Sequence, residues 1–386
     1  MTDRSPRAVA PALLGLSLAA LAALCLALRI PMADALVYRA EGAAVAHGTS
    51  LYGFTVTAWR LPATYPPFAA LLFVPAAYVP LAALKAAFCV GNVALCALLV
   101  HLSCRFAGLA PGRTVVLGAT ALGLWLEPVF QTLLFGQVNL ALACLVLWDL
   151  SRPAGAPGKG FAVGVAAGIK ITPLFFVPHL LVRGRHREAL TVLAGFGATV
   201  LLGALVLPDA SVEFFTRRLF ETGRVGKAWI VDNQSLQGLL ARLLHTTAPG
   251  PVWALAAAAV GAAGLWTAHR ADERRALLVS AFTALLISPI SWSHHWVWCV
   301  PLIAVLVAEG HPRTAAAAAV VFTARSLWLV PHAGDLDLRL PLWQQPLAAP
   351  YPLIGLAVLG WAAWRARAVG VDSQLSARSS SASMIR

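Results

Sequence analysis

The length of its apolar runs limits what this chain can fold into. Stretches such as 10–30, 81–104 and 189–207 hold about twenty residues with little charge, the length that crosses a bilayer core as a helix. Strands of a membrane barrel would alternate apolar and polar residues. The runs from Leu201 to Leu207 and from Ala254 to Leu265 do not alternate. Only 12% of the 386 residues are charged against 59% hydrophobic, with mean hydropathy +0.76, too little charge to cover a soluble domain. The expected fold is an all-α polytopic membrane protein. No polar stretch is long enough to fold alone, so 1–367 reads as one membrane domain and the Ser-rich 368–386 as a disordered cytoplasmic tail.

Loop arginines set the topology, because positive loops stay on the cytoplasmic side. With the N-terminus inside, the span 10–30 delivers Asp34 to the outer face, and 31–65 reads as an outer loop with interfacial aromatics such as Tyr52 and Trp59. Pro66 and Pro67 open a half-buried helix over 68–78. Spans at 81–104 and 114–135 flank the basic loop of Arg105 and Arg113, and a fourth returns to Arg152. The run 160–182 could cross once, but Lys159 precedes it and Arg183, Arg185 and Arg187 follow it. Two short helices turning at Lys170 keep both basic flanks inside, and Pro173 suits the start of the second. Spans at 189–207, 251–268, 276–290, 297–309, 314–331 and 350–364 then alternate, leaving both termini cytoplasmic. This placement gathers Asp34, Tyr65, Gln137, Asn139, Lys170, Asn233, Gln234, His294 and His295 on the outer face.

The net charge of +13 is explained by those topological arginines. No basic face or recognition motif accompanies it, so nucleic acid is not an expected partner. The six cysteines lie in or beside apolar runs without paired CxxC spacing, so they read as buried small hydrophobes rather than zinc ligands or disulfides.

Asp34 sits at the exit of a span, where charge is costly unless paired or useful. A carboxylate there can act as a general base. Lys170 interrupts an apolar run and, at an outer turn, could hold an anionic group. The adjacent His294 and His295 lack a third ligand at helical spacing, so hydrogen bonding to a phosphate or sugar is more economical than a metal. Gly136-Gln137-Val138-Asn139 and Asp232-Asn233-Gln234-Ser235 are amide-rich and suit sugar hydroxyls, with Trp229 near the second for stacking; helix capping is their plainer reading.

Six segments in order carry a resemblance: Asp34-Ala-Leu-Val-Tyr-Arg39, Thr64-Tyr-Pro-Pro-Phe68, Gly136-Gln-Val-Asn139, Gly168-Ile-Lys-Ile-Thr-Pro173, Asp232-Asn-Gln-Ser-Leu236 and Ser288-Pro-Ile-Ser-Trp-Ser-His-His-Trp-Val-Trp298. Together they resemble the motifs of glycosyltransferase family 87, actinobacterial polyprenyl-phosphate-mannose-dependent α-mannosyltransferases. The resemblance implies a GT-C type bundle of about eleven to twelve transmembrane helices with a catalytic first outer loop. It implies a polyprenyl-phosphate mannose donor, a glycolipid or lipoglycan acceptor, an α-1,2 bond and no metal or other cofactor. It makes Asp34 the general base and Lys170, His294 and His295 the holders of the leaving phosphate. Tyr38, Arg39, Tyr65, Gln137, Asn139, Asn233 and Gln234 become candidate sugar or substrate contacts. Ala35 departs from the pattern, which leads one to expect a larger residue after the aspartate.

A lipid-linked-sugar flippase or other transporter would also have many helices and buried polar groups. Against it, the two halves of the chain show no repeat, and the polar residues collect at one face rather than midway.

Overall fold

The structure is a computed structural model that describes residues 6–383, with side chains from 8 to 367. Residues 384–386 of the expected disordered tail lie outside it. The first helix, α1 (Pro6–Ala27), is apolar around its circumference and leaves Leu16 and Leu26 exposed, as a lipid-facing helix does. The segment that follows, expected as an outer loop, is largely helical. Left-handed backbone at Arg29 and Met32 ends α1 and starts α2 (Ala33–Ala46). Asp34 lies in the first turn of α2, where a negative charge meets the positive end of the helix dipole. The face carrying Ala35, Tyr38 and Gly42 is buried, at the helical spacing of three and four. A hairpin of β1 (Thr55–Val56) and β2 (Leu61–Pro62) completes the segment. As expected, prolines open α3 (Pro67–Tyr78), which packs so closely on α2 that a Cβ on Gly42 would lie 2.1 Å from the Phe73 carbonyl oxygen.

The long span α4 (Leu81–Phe106) follows. The expected single span 114–135 is broken into α5 (Arg113–Gly123) and α6 (Glu127–Phe135), bent by 75°. The break is written in Glu127-Pro128, an acid and a proline that both favour a new helix start. Glu127 is buried, and it accepts hydrogen bonds from Tyr351 Oη at 2.7 Å and Trp328 Nε1 at 3.1 Å. Gly136 closes α6 in left-handed conformation and Asn139 starts α7 (Asn139–Leu150).

The run 160–182 folds as two short helices. They are α8 (Phe161–Ile169) and, after a 3-10 turn over Thr172–Phe175, α9 (Phe176–Val182). Lys170 sits at the break in extended backbone. The next helix, α10 (His186–Val206), reveals the direction of the pair. A Cβ on Gly160 would lie 2.6 Å from Glu188 O, one on Gly164 2.2 Å from Val192 O, and one on Gly168 2.1 Å from Thr199 Oγ1. The register rises along both chains, so α8 runs parallel to α10 and α9 must return. Small residues at such contacts let membrane helices approach closely. Lys159 and Glu188 meet at 3.9 Å, Arg185 contacts Glu273 at 2.5 Å, and Arg183 donates to the carbonyl of Ala271 at 2.9 Å. The basic loops on both sides of the hairpin therefore share one face, and Lys170 marks its far tip.

The remaining helices are α11 (Pro208–Thr216), α12 (Leu236–Leu243), α13 (Gly250–Arg270), α14 (Glu273–Ile287), α15 (Cys299–Ala308), α16 (Pro312–Ala324), α17 (Gln345–Ala348) and α18 (Pro350–Ser383). A left-handed Arg325 stops α16 short of the expected 331, and α18 continues helical through most of the expected tail. Among the described residues, four helices are long and apolar enough to cross a membrane, or six if each bent pair counts once. The expected count of eleven to twelve is not reached by length, because α3, α7, α8 and α9 are short pieces. The chain is an all-α polytopic membrane protein, and the non-helical backbone at Lys170 lines a cavity.

Candidate active site

A cavity of about 1000 Å³ opens at the end of the bundle that holds Lys170, large for a small-molecule site. Asp34, Tyr65, Gln137, Lys170, His294 and His295 all line it. Five separate stretches of chain supply these six residues, and the sequence placed all of them on one face.

Asp34 is tied to the wall by Gln137, and the orientation of that amide is fixed from behind. Tyr38 and Tyr65 hydroxyls contact Gln137 Oε1 at 2.8 and 3.1 Å and each other at 2.9 Å. The carbonyl side of the amide faces the tyrosines, so its N–H side serves the Asp34 carboxylate, which only accepts. Burial pushes the Asp34 carboxyl up to about 6, against the opposing pull of the Gln137 hydrogen bond and the Lys170 charge. Tyr38 is fully buried and does not line the cavity, so it orients Gln137 from behind. Arg39 also lies outside the cavity wall.

Lys170 Nζ lies 3.1 Å from Asn139 Oδ1 and 2.8 Å from His295 Nε2. An ammonium has only donors, so His295 accepts through Nε2. A third N–H and the positive charge remain for the cavity. Asn139 Nδ2 in turn donates to the carbonyl of His294 at 3.0 Å, which ties the start of α7 to the histidine segment. His294 is buried against Phe135, and both its ring nitrogens lack a protein partner. His294 also lines the cavity, and a neutral imidazole offers one donor and one acceptor there.

Asn233 and Gln234 are placed differently. Both are fully buried and neither lines the cavity. Asn233 Nδ2 donates to the carbonyls of Ala228 and Pro289 at 2.8 and 3.1 Å, and its Oδ1 accepts from Ser291 N at 2.9 Å. Gln234 bonds Ala348 O at 2.7 Å and Tyr351 N at 3.2 Å. Their amides brace the 228–235 segment against its neighbours, and the expected sugar contact gives way to that bracing. Trp229 likewise points elsewhere, donating to Asp335 Oδ1 at 3.1 Å. The residue of this motif that does line the cavity is Asp232. Burial first, and then the charge of Glu127, push its carboxyl up to about 7, while Ser293 N donates to its Oδ1 at 3.2 Å. The run of four polar residues gave no sign of which one faces the cavity; only the packing decides it.

Ala35, which departs from the expected pattern, packs against the turn at Gly136. Gly136 has φ 69°, and a Cβ there would lie 2.7 Å from Ala35 Cβ. We therefore expect Gly136→Val to lower the melting temperature and strip transfer activity. The left-handed backbone alone costs about 1–2 kcal/mol, and the overlap pushes Asp34 away from Gln137. Thermal unfolding alongside product formation checks this.

The sequence profile of Glycosyltransferase family 87 matches residues 63–289. The chain belongs to glycosyltransferase family 87. The family-87 match starts after Asp34 and stops before His294, and relatives aligned over 84–88% of the chain extend beyond it. A polyprenol-phosphate-mannose-dependent alpha-(1-2)-phosphatidylinositol pentamannoside mannosyltransferase of Mycobacterium tuberculosis (strain CDC 1551 / Oshkosh) is 35% identical, covering 88% of this chain and 82% of its own length. A polyprenol-phosphate-mannose-dependent alpha-(1-2)-phosphatidylinositol mannoside mannosyltransferase of M. tuberculosis (strain ATCC 25618 / H37Rv) is 31% identical over 84% of this chain and 81% of its own. One of Mycolicibacterium smegmatis with the same description is 30% identical over 84% and 81%. No solved structure matches this family-87 chain.

Proposed function

We propose that this family-87 protein transfers mannose from polyprenyl-phosphate mannose to a mannose hydroxyl of a phosphatidylinositol mannoside-type glycolipid. The site faces the outside of the plasma membrane, both termini are cytoplasmic, and the bond formed is α-1,2. The observation that carries this reading is the meeting of a carboxylate, Asp34, with an ammonium, Lys170, and an unpartnered histidine, His294, in one cavity. The names of the relatives supply the sugar and both lipids.

In this reaction Asp34 accepts the proton of the acceptor hydroxyl. The freed oxygen attacks the anomeric carbon from the side opposite the phosphate. The carbon–oxygen bond to phosphate breaks, and the polyprenyl phosphate leaves with the electron pair. Inversion turns a β-linked donor into an α product. Lys170 and His294 stabilise the charge that grows on the leaving phosphate, as donors at an oxyanion site do. His295 and Asn139 hold the Lys170 ammonium in place. Tyr65, Gln137 and Asp232 offer partners to sugar hydroxyls. Ile171, Leu174, Val177, Leu193 and Ile287 form an apolar stretch of the wall, suited to the first isoprene units of the donor.

Membranes holding the protein, incubated with labelled polyprenyl-phosphate mannose and extracted lipids, should yield a mannosylated glycolipid whose linkage can be read. Label that crosses the membrane without a new bond would favour a flippase instead. Single cysteines placed at Gln137, Lys170 and His294 in a cysteine-free background should all react with an impermeant reagent from outside. Labelling of position 170 from the cytoplasm alone would reverse the orientation of the hairpin.

A further inference from the structure

The outer half of the cavity holds residues that the reaction above does not use. Trp59 stands in the turn between β1 and β2, is 63% exposed, and still lines the cavity. That turn is well defined. Arg60 N donates to Thr57 O at 3.1 Å, Trp59 N donates to Thr57 Oγ1 at 3.3 Å, and Thr57 and Arg60 have φ 68° and 53°. Residues other than glycine persist there only where the surroundings over-determine them, and such strain collects at ligand sites. Trp292 forms another part of the wall. Its ring is wedged against Gly226, where a Cβ would come within 2.8 Å of it. Arg218 also lines the cavity, clamped by Glu213 at 2.6 Å and Glu221 at 2.7 Å. Glu221 is shared with Arg217 and Arg224, so the carboxylates fix the Arg218 guanidinium in place at the cavity wall.

A water-exposed ring on an ordered turn, a second ring held rigid, and a guanidinium fixed by carboxylates match the two surfaces of a sugar: an apolar ring face and a hydroxyl rim. We propose that the mouth of the cavity is a second carbohydrate subsite that holds the inner sugars of a multi-mannose acceptor, with Trp59 as its stacking platform. This rests on the mannosyltransferase reading above.

The test is steady-state kinetics of the full-length protein with polyprenyl-phosphate mannose and two acceptors, a single-mannose alkyl glycoside and a phosphatidylinositol mannoside bearing several mannoses. Trp59→Ala should raise KM for the long acceptor about tenfold, leaving KM for the donor and the short acceptor within about twofold. Trp59→Phe should recover most of the loss, because the platform is kept. An equal change for both acceptors, a changed donor KM, or no change at all overturns the subsite; in the last case Trp59 is only an anchor at the membrane interface. If the unaltered protein transfers mannose to neither acceptor, the failure belongs to the proposed reaction. Calorimetric binding of a manno-oligosaccharide to the unaltered protein and to Trp59→Ala then decides the subsite, with equal or absent binding overturning it.

Discussion

Asp34→Asn abolishes sugar transfer while the protein still folds and inserts. The amide keeps the size of the carboxylate and its place beside Gln137, but it cannot take a proton. General-base catalysis contributes roughly 10²–10⁴ in rate, so turnover should fall by that range with donor binding little changed. The pH profile gives a second readout. Burial holds the Asp34 carboxyl at about 6. The base is the deprotonated form, so transfer should rise with pH through about 6 and level off above it. A rate that is flat from pH 5 to 7 in the unaltered protein, or near-normal turnover in the Asn variant, removes Asp34 from the role of base.

Lys170→Met is the second large loss. Methionine fills the same volume without charge, so the hairpin tip should survive. What disappears is the ammonium that Asn139 and His295 hold at 3.1 and 2.8 Å. Removing one such group from a developing negative charge costs roughly 10²–10³ in kcat. The loss should fall on kcat more than on donor KM, because the charge to be stabilised is greatest in the transition state. A purely structural lysine would instead lower the melting temperature and leave the kinetics of the folded fraction intact.

Much of this was legible in the sequence. Apolar length and arginine positions were enough to bring Asp34, Lys170, His294 and His295 to one end of the bundle, because a bilayer leaves a helix few ways to turn. They also predicted the hairpin at Lys170, since basic residues flank the run on both sides. Other features depend on packing that spacing cannot reveal. Asn233 and Gln234 look like sugar ligands in a polar run, yet they brace the segment, and the neighbouring Asp232 takes the cavity face. Tyr38 reads as a contact but works through Gln137. The aromatic that matters was also misplaced: Trp229 turns to Asp335, whereas Trp59, read as a belt residue, overhangs the opening. The bend at Glu127-Pro128 was visible in residue type but was overridden by the apolar length around it.

The hairpin of α8 and α9 fixes how deep the chemistry lies. Nine residues of α8 make a helix about 13 Å long, under half of a hydrocarbon core of about 30 Å. Lys170, at its tip, is thus held within the bundle, where it lines the cavity, rather than on a loop beyond the helices. A centre enclosed in this way admits a glycan end-on. The terminal residue of the acceptor arrives first, and the sugars behind it stay in the vestibule. In the proposed reaction, such an entry selects the terminal residue of the acceptor over the sugars behind it.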